Sequence, residues 1–301
     1  MILLTLILAL AIVYYRAPLT ILQRDRWFFA WLQRVSGWTL VTKIPSGQLL
    51  LSLGLPVLGW CLLLDLLEGI SVLLLLAIEL LVLLYSFGRG DLQAELTTLQ
   101  SDLQRGDSQA AFHVGEALNA DKRKIVAFDL LALAQELRQR VAYAYLERYL
   151  AVIFWSLLGG VGGALLYRLS VLYRASFVTL VADSEAGESG FAGYLQLREA
   201  SRWLTLLEWL PLGLVGFTLS LVGRFGAGLS QWLTRWFSAR PSTDVLQDCV
   251  DDALGTDKAA FGWGVALMST ADIAASCEQI AQLFKRVLVF WLCLLALALV
   301  L

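Results

Sequence analysis

Leucine-rich blocks alternate with polar stretches along the chain, and the blocks have the length of membrane spans. A helix needs about 20 mostly apolar residues to cross a hydrocarbon core about 30 Å thick. Runs that meet or approach this length are Met1–Tyr15, Gln48–Leu67, Ile70–Phe87, Tyr149–Tyr173, Trp203–Val222 and Val287–Leu301. Almost nothing separates the second from the third, which predicts a tight helical hairpin. The first and last are the least secure, so the pattern predicts four to six transmembrane helices.

The polar segments keep a helical period of their own. Leu92, Leu96, Leu99 and Leu103 recur one turn apart with Asp91, Glu95 and Asp102 between them, and Leu130, Leu133, Leu137 and Val141 repeat the pattern over Asp129–Glu147. Ser269 and Asp272 have capping-box spacing ahead of a helix expected to end near Phe284. Trp27, Phe28, Trp31, Leu32 and Val35 line one face beside Arg26 and Arg34. Leu229, Trp232, Leu233, Trp236 and Phe237 do the same beside Arg235 and Arg240. Such faces lie in the headgroup plane of a bilayer or pack on the protein's own helices, and the spacing fits both. No strand alternation and no long linker occurs. The prediction is an all-α polytopic membrane protein, a single integral membrane domain over residues 1–301 with helical cytoplasmic insertions at about 88–148 and 223–286.

Most lysines and arginines fall in Arg16–Gly47, Gly88–Arg148 and Gly223–Arg286, and each terminal apolar run has basic residues only on its inner flank. The positive-inside rule places these loops in the cytoplasm and both termini outside. Met1–Tyr15 has no basic stretch before it and no small-residue cleavage site after it, while Arg16, Arg24, Arg26 and Arg34 follow. It is therefore expected to stay as a span and not to be removed as a signal peptide.

Composition sharpens this picture. Hydrophobic residues make up 58% of the 301, charged residues only 16%, and mean hydropathy is +0.70. Soluble domains carry about 25% charge, so the surplus apolar surface calls for lipid as a partner. A formal net charge of -2 supplies no basic field for nucleic acid. Cys61, Cys249, Cys277 and Cys293 form no C-x-x-C pair, and His113 is the single histidine. That argues against a disulfide framework, a His-based zinc site and a Ser-His-Asp triad. No metal, cofactor or catalytic residue is expected.

Candidate chemistry therefore rests on charges within the spans. Glu79 sits mid-run, where a carboxylate costs about 3 kcal/mol on insertion scales and each neighbouring Leu, Ile or Val returns about 0.3–0.6 kcal/mol. It is either a ligand or proton site or a structural hydrogen-bonding group. Arg168 lies about a turn from the end of its run and could snorkel to the interface or contact a ligand. Glu208 precedes Trp209 and Pro211. Proline removes the helical hydrogen bond to the Leu207 carbonyl, so a polar pocket and a plain kink both fit. Arg168, Glu208, Trp209 and Glu79 are the candidate ligand-binding residues. Gly159, Gly160, Gly162 and Gly163 have neither a preceding strand nor a G-x-x-x-x-G-K-[ST] sequence, so close helix packing is expected of them and nucleotide binding is not.

Phe154-Trp155, Gly159-Gly160, Gly163 and Tyr167-Arg168 together resemble the F-W-x-x-x-G-G-x-x-G-x-x-x-Y-R segment of membrane proteins related to adenosylcobinamide-phosphate synthase. Leu207-Glu208-Trp209-Leu210-Pro211 resembles their later D/N-W-[IV]-P segment. The chain is most similar to the AmpE branch of that group. The resemblance implies a multi-pass protein of the bacterial inner membrane. It implies a regulatory or signalling modulator of β-lactamase induction, linked to peptidoglycan recycling through an amidase that clears anhydro-muropeptides. Where the synthases continue with N-T-x-D-x-M after the arginine, this chain reads Leu169-Ser-Val-Leu-Tyr-Arg-Ala-Ser-Phe177, and Leu212-Gly213-Leu214 replaces their Ala-Arg-Leu. The polar groups expected of an amide-forming synthase centre are thus missing. The expected partners are the lipid bilayer and a small-molecule ligand such as a muropeptide, with oligomeric state open. A membrane enzyme of the synthase type and a small-molecule transporter are the alternatives.

Overall fold

The structure is a computed structural model that describes residues 2–15, 25–38, 46–68, 72–87, 90–125, 127, 129–183, 188–224, 227–238, 240–255 and 269–300. Arg16, Pro18 and Arg24, which flank the first apolar run, lie outside the described residues, as do residues 256–268. Every regular element among the described residues is helical: α1 (Ile2–Tyr15), α2 (Arg26–Ser36), α3 (Gly47–Glu68), α4 (Val72–Ser86), α5 (Leu92–Gln104), α6 (Ser108–Ala117), α7 (Leu130–Tyr145), α8 (Ala151–Asp183), α9 (Glu188–Val222), α10 (Ala227–Trp236), α11 (Ser242–Leu254) and α12 (Thr270–Val300). A five-residue π-helical turn, Leu146–Leu150, joins α7 to α8.

Among the described residues, four segments are long and apolar enough to cross a membrane: Gly47–Leu66, Leu130–Ala182, Gly193–Val222 and Thr270–Leu297. Leu3–Val13 and Val72–Ser86 are apolar but shorter. On α3 the exposed leucines Leu50, Leu58, Leu62 and Leu66 fall on one face of the helix, an apolar stripe suited to acyl chains. An all-α polytopic architecture follows.

Three helices differ in extent from the hydropathy pattern. α8 continues past Tyr173 to Asp183 because Tyr173 and Phe177, one turn apart, keep a buried face while Arg174 and Ser176 break the apolar run. α9 starts at Glu188, well before the apolar stretch at Trp203. The polar helix after Ser269 and the last apolar run form one helix, α12, since Lys285 and Arg286 are strong helix formers and end only the hydropathy. Its start is capped as expected: Asp272 accepts from the Ser269 N–H at 2.9 Å, and Ser269 Oγ accepts from the Asp272 N–H at 3.3 Å.

The chain divides into two compact units. The first holds residues 1–90 and 151–204. There α8 packs against α1, α3 and α4, and α2 lies on α3. Its core joins Phe28, Leu32, Leu49, Leu53, Leu169 and Tyr173. Gln196 donates to Gln48 at 2.7 Å, and the Trp203 indole donates to Ser170 Oγ at 3.0 Å. Phe28, Leu32 and Val35 of α2 are buried, so one side of that amphipathic helix packs on protein, while Trp27 stays about half exposed.

The second unit holds residues 91–150 and 205–301. α12 packs against α5 and α7, and α11 against α7 and α10. Of the predicted core positions, Leu92, Leu96, Leu99, Leu103, Leu133, Leu137 and Val141 are buried, whereas Leu130, the first residue of α7, is exposed. Asp91 and Asp129 cap α5 and α7 through their side chains. His113 is exposed on α6, and all four cysteines are free thiols.

Candidate functional site

Each unit buries charged side chains, among them the sequence candidates Arg168 in the first and Glu208 in the second. In the first, Arg168 on α8 meets Asp25, and neither reaches solvent appreciably. The guanidinium nitrogen lies 3.6 Å from the carboxylate oxygen. Asp25 is fixed by the entry into α2, where its carbonyl accepts from the Phe28 and Phe29 N–H groups at 3.0 and 3.2 Å. The Tyr85 hydroxyl, at the end of α4, lies beside this pair. Arg168 Nε and the Tyr173 hydroxyl are shielded from solvent without a hydrogen-bond partner among the described residues. An interior guanidinium with an uncommitted N–H has strong capacity to bind an anionic or carbonyl group. Arg168 therefore does not snorkel to an interface; it is an inward-facing charge.

The glycines N-terminal to Arg168 bend α8. Gly159 (φ −117°, ψ 15°) and Gly160 (φ 63°, ψ −159°) leave the helical conformation. A Cβ on Gly163 would meet the Trp155 carbonyl oxygen at 2.5 Å. Gly162 serves the expected close approach, with Cys61 Sγ of α3 3.4 Å from where its Cβ would be. Glycine here makes a break more than a packing seam.

In the second unit Glu208 on α9 is buried and accepts a hydrogen bond from the Tyr143 hydroxyl of α7 at 2.5 Å. Pro211 follows within the unbroken helix. Trp209 forms a reciprocal clamp with Trp236 of α10: each indole N–H donates to the other residue's carbonyl, at 3.1 and 2.9 Å, and the rings stack with centroids 5.1 Å apart. The Trp232 indole adds a bond to the Gly213 carbonyl at 2.8 Å. A Cβ on Gly213 would meet Trp236 at 2.2 Å, so glycine admits the clamp. One side of the α10 aromatic face thus packs on α9, while Leu233 and Phe237 remain outward.

Glu79 lies on α4 in the first unit, with one carboxylate oxygen shielded and unpartnered among the described residues. Arg168 and Glu79 thus belong to one unit, and Glu208 and Trp209 to the other.

Several polar residues escaped the sequence reading. The π-helical turn directs Glu147 and Arg148 inward. Glu147 accepts from the Ala120 N–H at 3.2 Å, while Arg148 pairs with Glu95 at 2.7 Å and donates to the Leu118 carbonyl. Such turns recur at functional sites; this one anchors the segment after α6. Asp25 and Tyr143 also sit in ordinary polar surroundings in sequence, and no local pattern marks either as a partner of a membrane-depth charge. Among the described residues no cluster of His, Cys, Asp or Glu could hold a metal ion. Outside the spans, burial pushes the Cys249 thiol up to about 11 although Arg235 opposes the shift.

Membrane-length helices carrying inward charges and capped polar helices define a multi-pass helical membrane protein. The model of the family described as "Regulatory signalling modulator protein AmpE" matches residues 1–257, and the chain belongs to this family. No curated protein and no solved structure matches it.

Proposed function

We propose that the chain is a regulatory protein of the bacterial inner membrane that modulates β-lactamase induction in step with peptidoglycan recycling. In this reading it responds to a small molecule, a muropeptide or a related compound, captured at its inward charges. Arg168 and Glu208 are the principal contacts, with Trp209 and Glu79 as further candidates. The motifs around Phe154–Arg168 and Glu208–Pro211 support placing it beside the adenosylcobinamide-phosphate synthases, without their polar reaction centre.

The observation that carries the reading is the Tyr143–Glu208 hydrogen bond. It joins a carboxylate on a membrane-length helix to α7, and α7 is held to α11 by Arg138–Asp251 and Gln139–Asp244 at 2.5 and 2.9 Å. A ligand that takes Glu208 from Tyr143 removes one restraint on this polar assembly, which is the form of a regulatory coupling. Deleting the gene in an inducible background and measuring β-lactamase after a cefoxitin challenge tests it. Induction is expected to change on deletion, to return with the wild-type gene, and not to return with Glu208→Gln inserted at equal level. Induction indifferent to the deletion refutes the proposal.

A further inference from the structure

A cleft of about 290 Å³ opens in the second unit where the apolar stretch of α9 ends at Val222 and that of α12 begins after Arg286. Arg224 and Arg286 line it with Gln279 and Gln282. Neither guanidinium has a carboxylate partner among the described residues. Asp252 is committed to Arg235, and Glu278 accepts from Gln282 Nε2 at 3.1 Å. Arg224 is placed by its surroundings: its N–H donates to the Ala253 carbonyl at 3.0 Å, and its side chain lies over Gly255, whose φ of +68° and missing Cβ leave room for it.

The position of the cleft names its ligand. Two membrane-length helices change from apolar to polar here, so both guanidinia stand at headgroup level. Arginine is the side chain best matched to phosphate oxygens, through paired charge-assisted N–H bonds. Arg286, Val289, Phe290, Cys293 and Leu297 share one face of α12, and Val289 and Leu297 are more than half exposed. That face offers an apolar track leading from the basic cleft along the helix. We infer that the cleft binds a phosphate group, presented by an anionic phospholipid whose acyl chain follows this track.

The full chain purified in detergent can be melted against phosphatidylglycerol, phosphatidylcholine or inorganic phosphate. Phosphatidylglycerol is expected to raise Tm saturably and phosphatidylcholine not to. In R224Q/R286Q the apparent affinity for phosphatidylglycerol should fall about tenfold or more, while Lys124→Gln leaves it unchanged. Protection by inorganic phosphate equal to that by the lipid, and lost in the double variant, supports the phosphate site and assigns it a soluble source. Equal protection by both lipids, or wild-type affinity in the double variant, overturns the inference. If the double variant does not fold, Arg286→Gln and the lipid comparison on the wild type decide. The outcome is independent of the regulatory role, since the cleft shares no residue with Glu208 or Arg168.

Discussion

Arg138 of α7 meets Asp251 of α11 at 2.5 Å, and Asp251 also accepts from the Gln247 amide at 2.9 Å. The guanidinium is 3% exposed and the carboxylate 15%, so each charge depends on the other for solvation. Removing one partner of a buried pair costs about 3–5 kcal/mol, whereas replacing both with apolar groups is often neutral. Asp251→Leu and Arg138→Met are each expected to lower Tm clearly in detergent. The combination R138M/D251L should melt above either single variant, a non-additivity that a thermal double-mutant cycle reads directly.

Glu208 and Tyr143 support a second expectation. Truncating Tyr143→Phe takes one donor from a buried carboxylate, which costs about 1–3 kcal/mol when the acceptor stays shielded. Glu208→Gln keeps an acceptor for the hydroxyl and is expected to cost less than Glu208→Ala. Melting temperatures of the three variants should therefore run Gln above Phe and Ala. An alanine variant as stable as wild type would mean the bond does not hold α7.

How much of this was legible beforehand depends on the range of the interaction. The stripe Leu92, Leu96, Leu99 and Leu103 and the Ser269–Asp272 cap are local, and sequence period alone revealed them. Arg168 and Glu208 could be singled out because charge at membrane depth is costly wherever it occurs. Their partners could not: Asp25 lies next to α2 and Tyr143 inside a polar helix, and a contact across the fold leaves no periodic trace. The glycines of α8 show a different gap. Close packing and a helix break need the same residue, and only the observed dihedrals of Gly160 separate the two.

Those dihedrals yield a paired expectation. Gly160, at φ 63° and ψ −159°, occupies a region essentially reserved for glycine, and forcing a Cβ there costs about 1–3 kcal/mol. Gly159 has a negative φ, and a Cβ there would meet nothing within 4 Å. Gly160→Ala should therefore lower Tm more than Gly159→Ala. Equal effects would show that the bend is not held by the Gly160 conformation.

Cys249 connects burial to pH. Its thiol sits on α11 facing Gly216, where a Cβ would stand 3.2 Å from its sulfur, and desolvation raises it from an ordinary value near 9 to about 11. The neutral thiol is the form the fold accepts. Below pH 9 the folded and unfolded chains both hold that proton, so Cys249 adds no pH dependence. Between about 9 and 11 the unfolded chain loses it first, the folded state binds more protons, and stability falls as pH rises. Cys249→Ala removes the effect. The Tm difference between wild type and this variant should be flat up to pH 9 and shift against the wild type from there towards 11. At pH 8 the native thiol should resist iodoacetamide until the protein is unfolded, because the thiolate is the nucleophile and little of it exists in the fold. Rapid native alkylation traced to Cys249 by peptide mapping would contradict its place beneath Gly216.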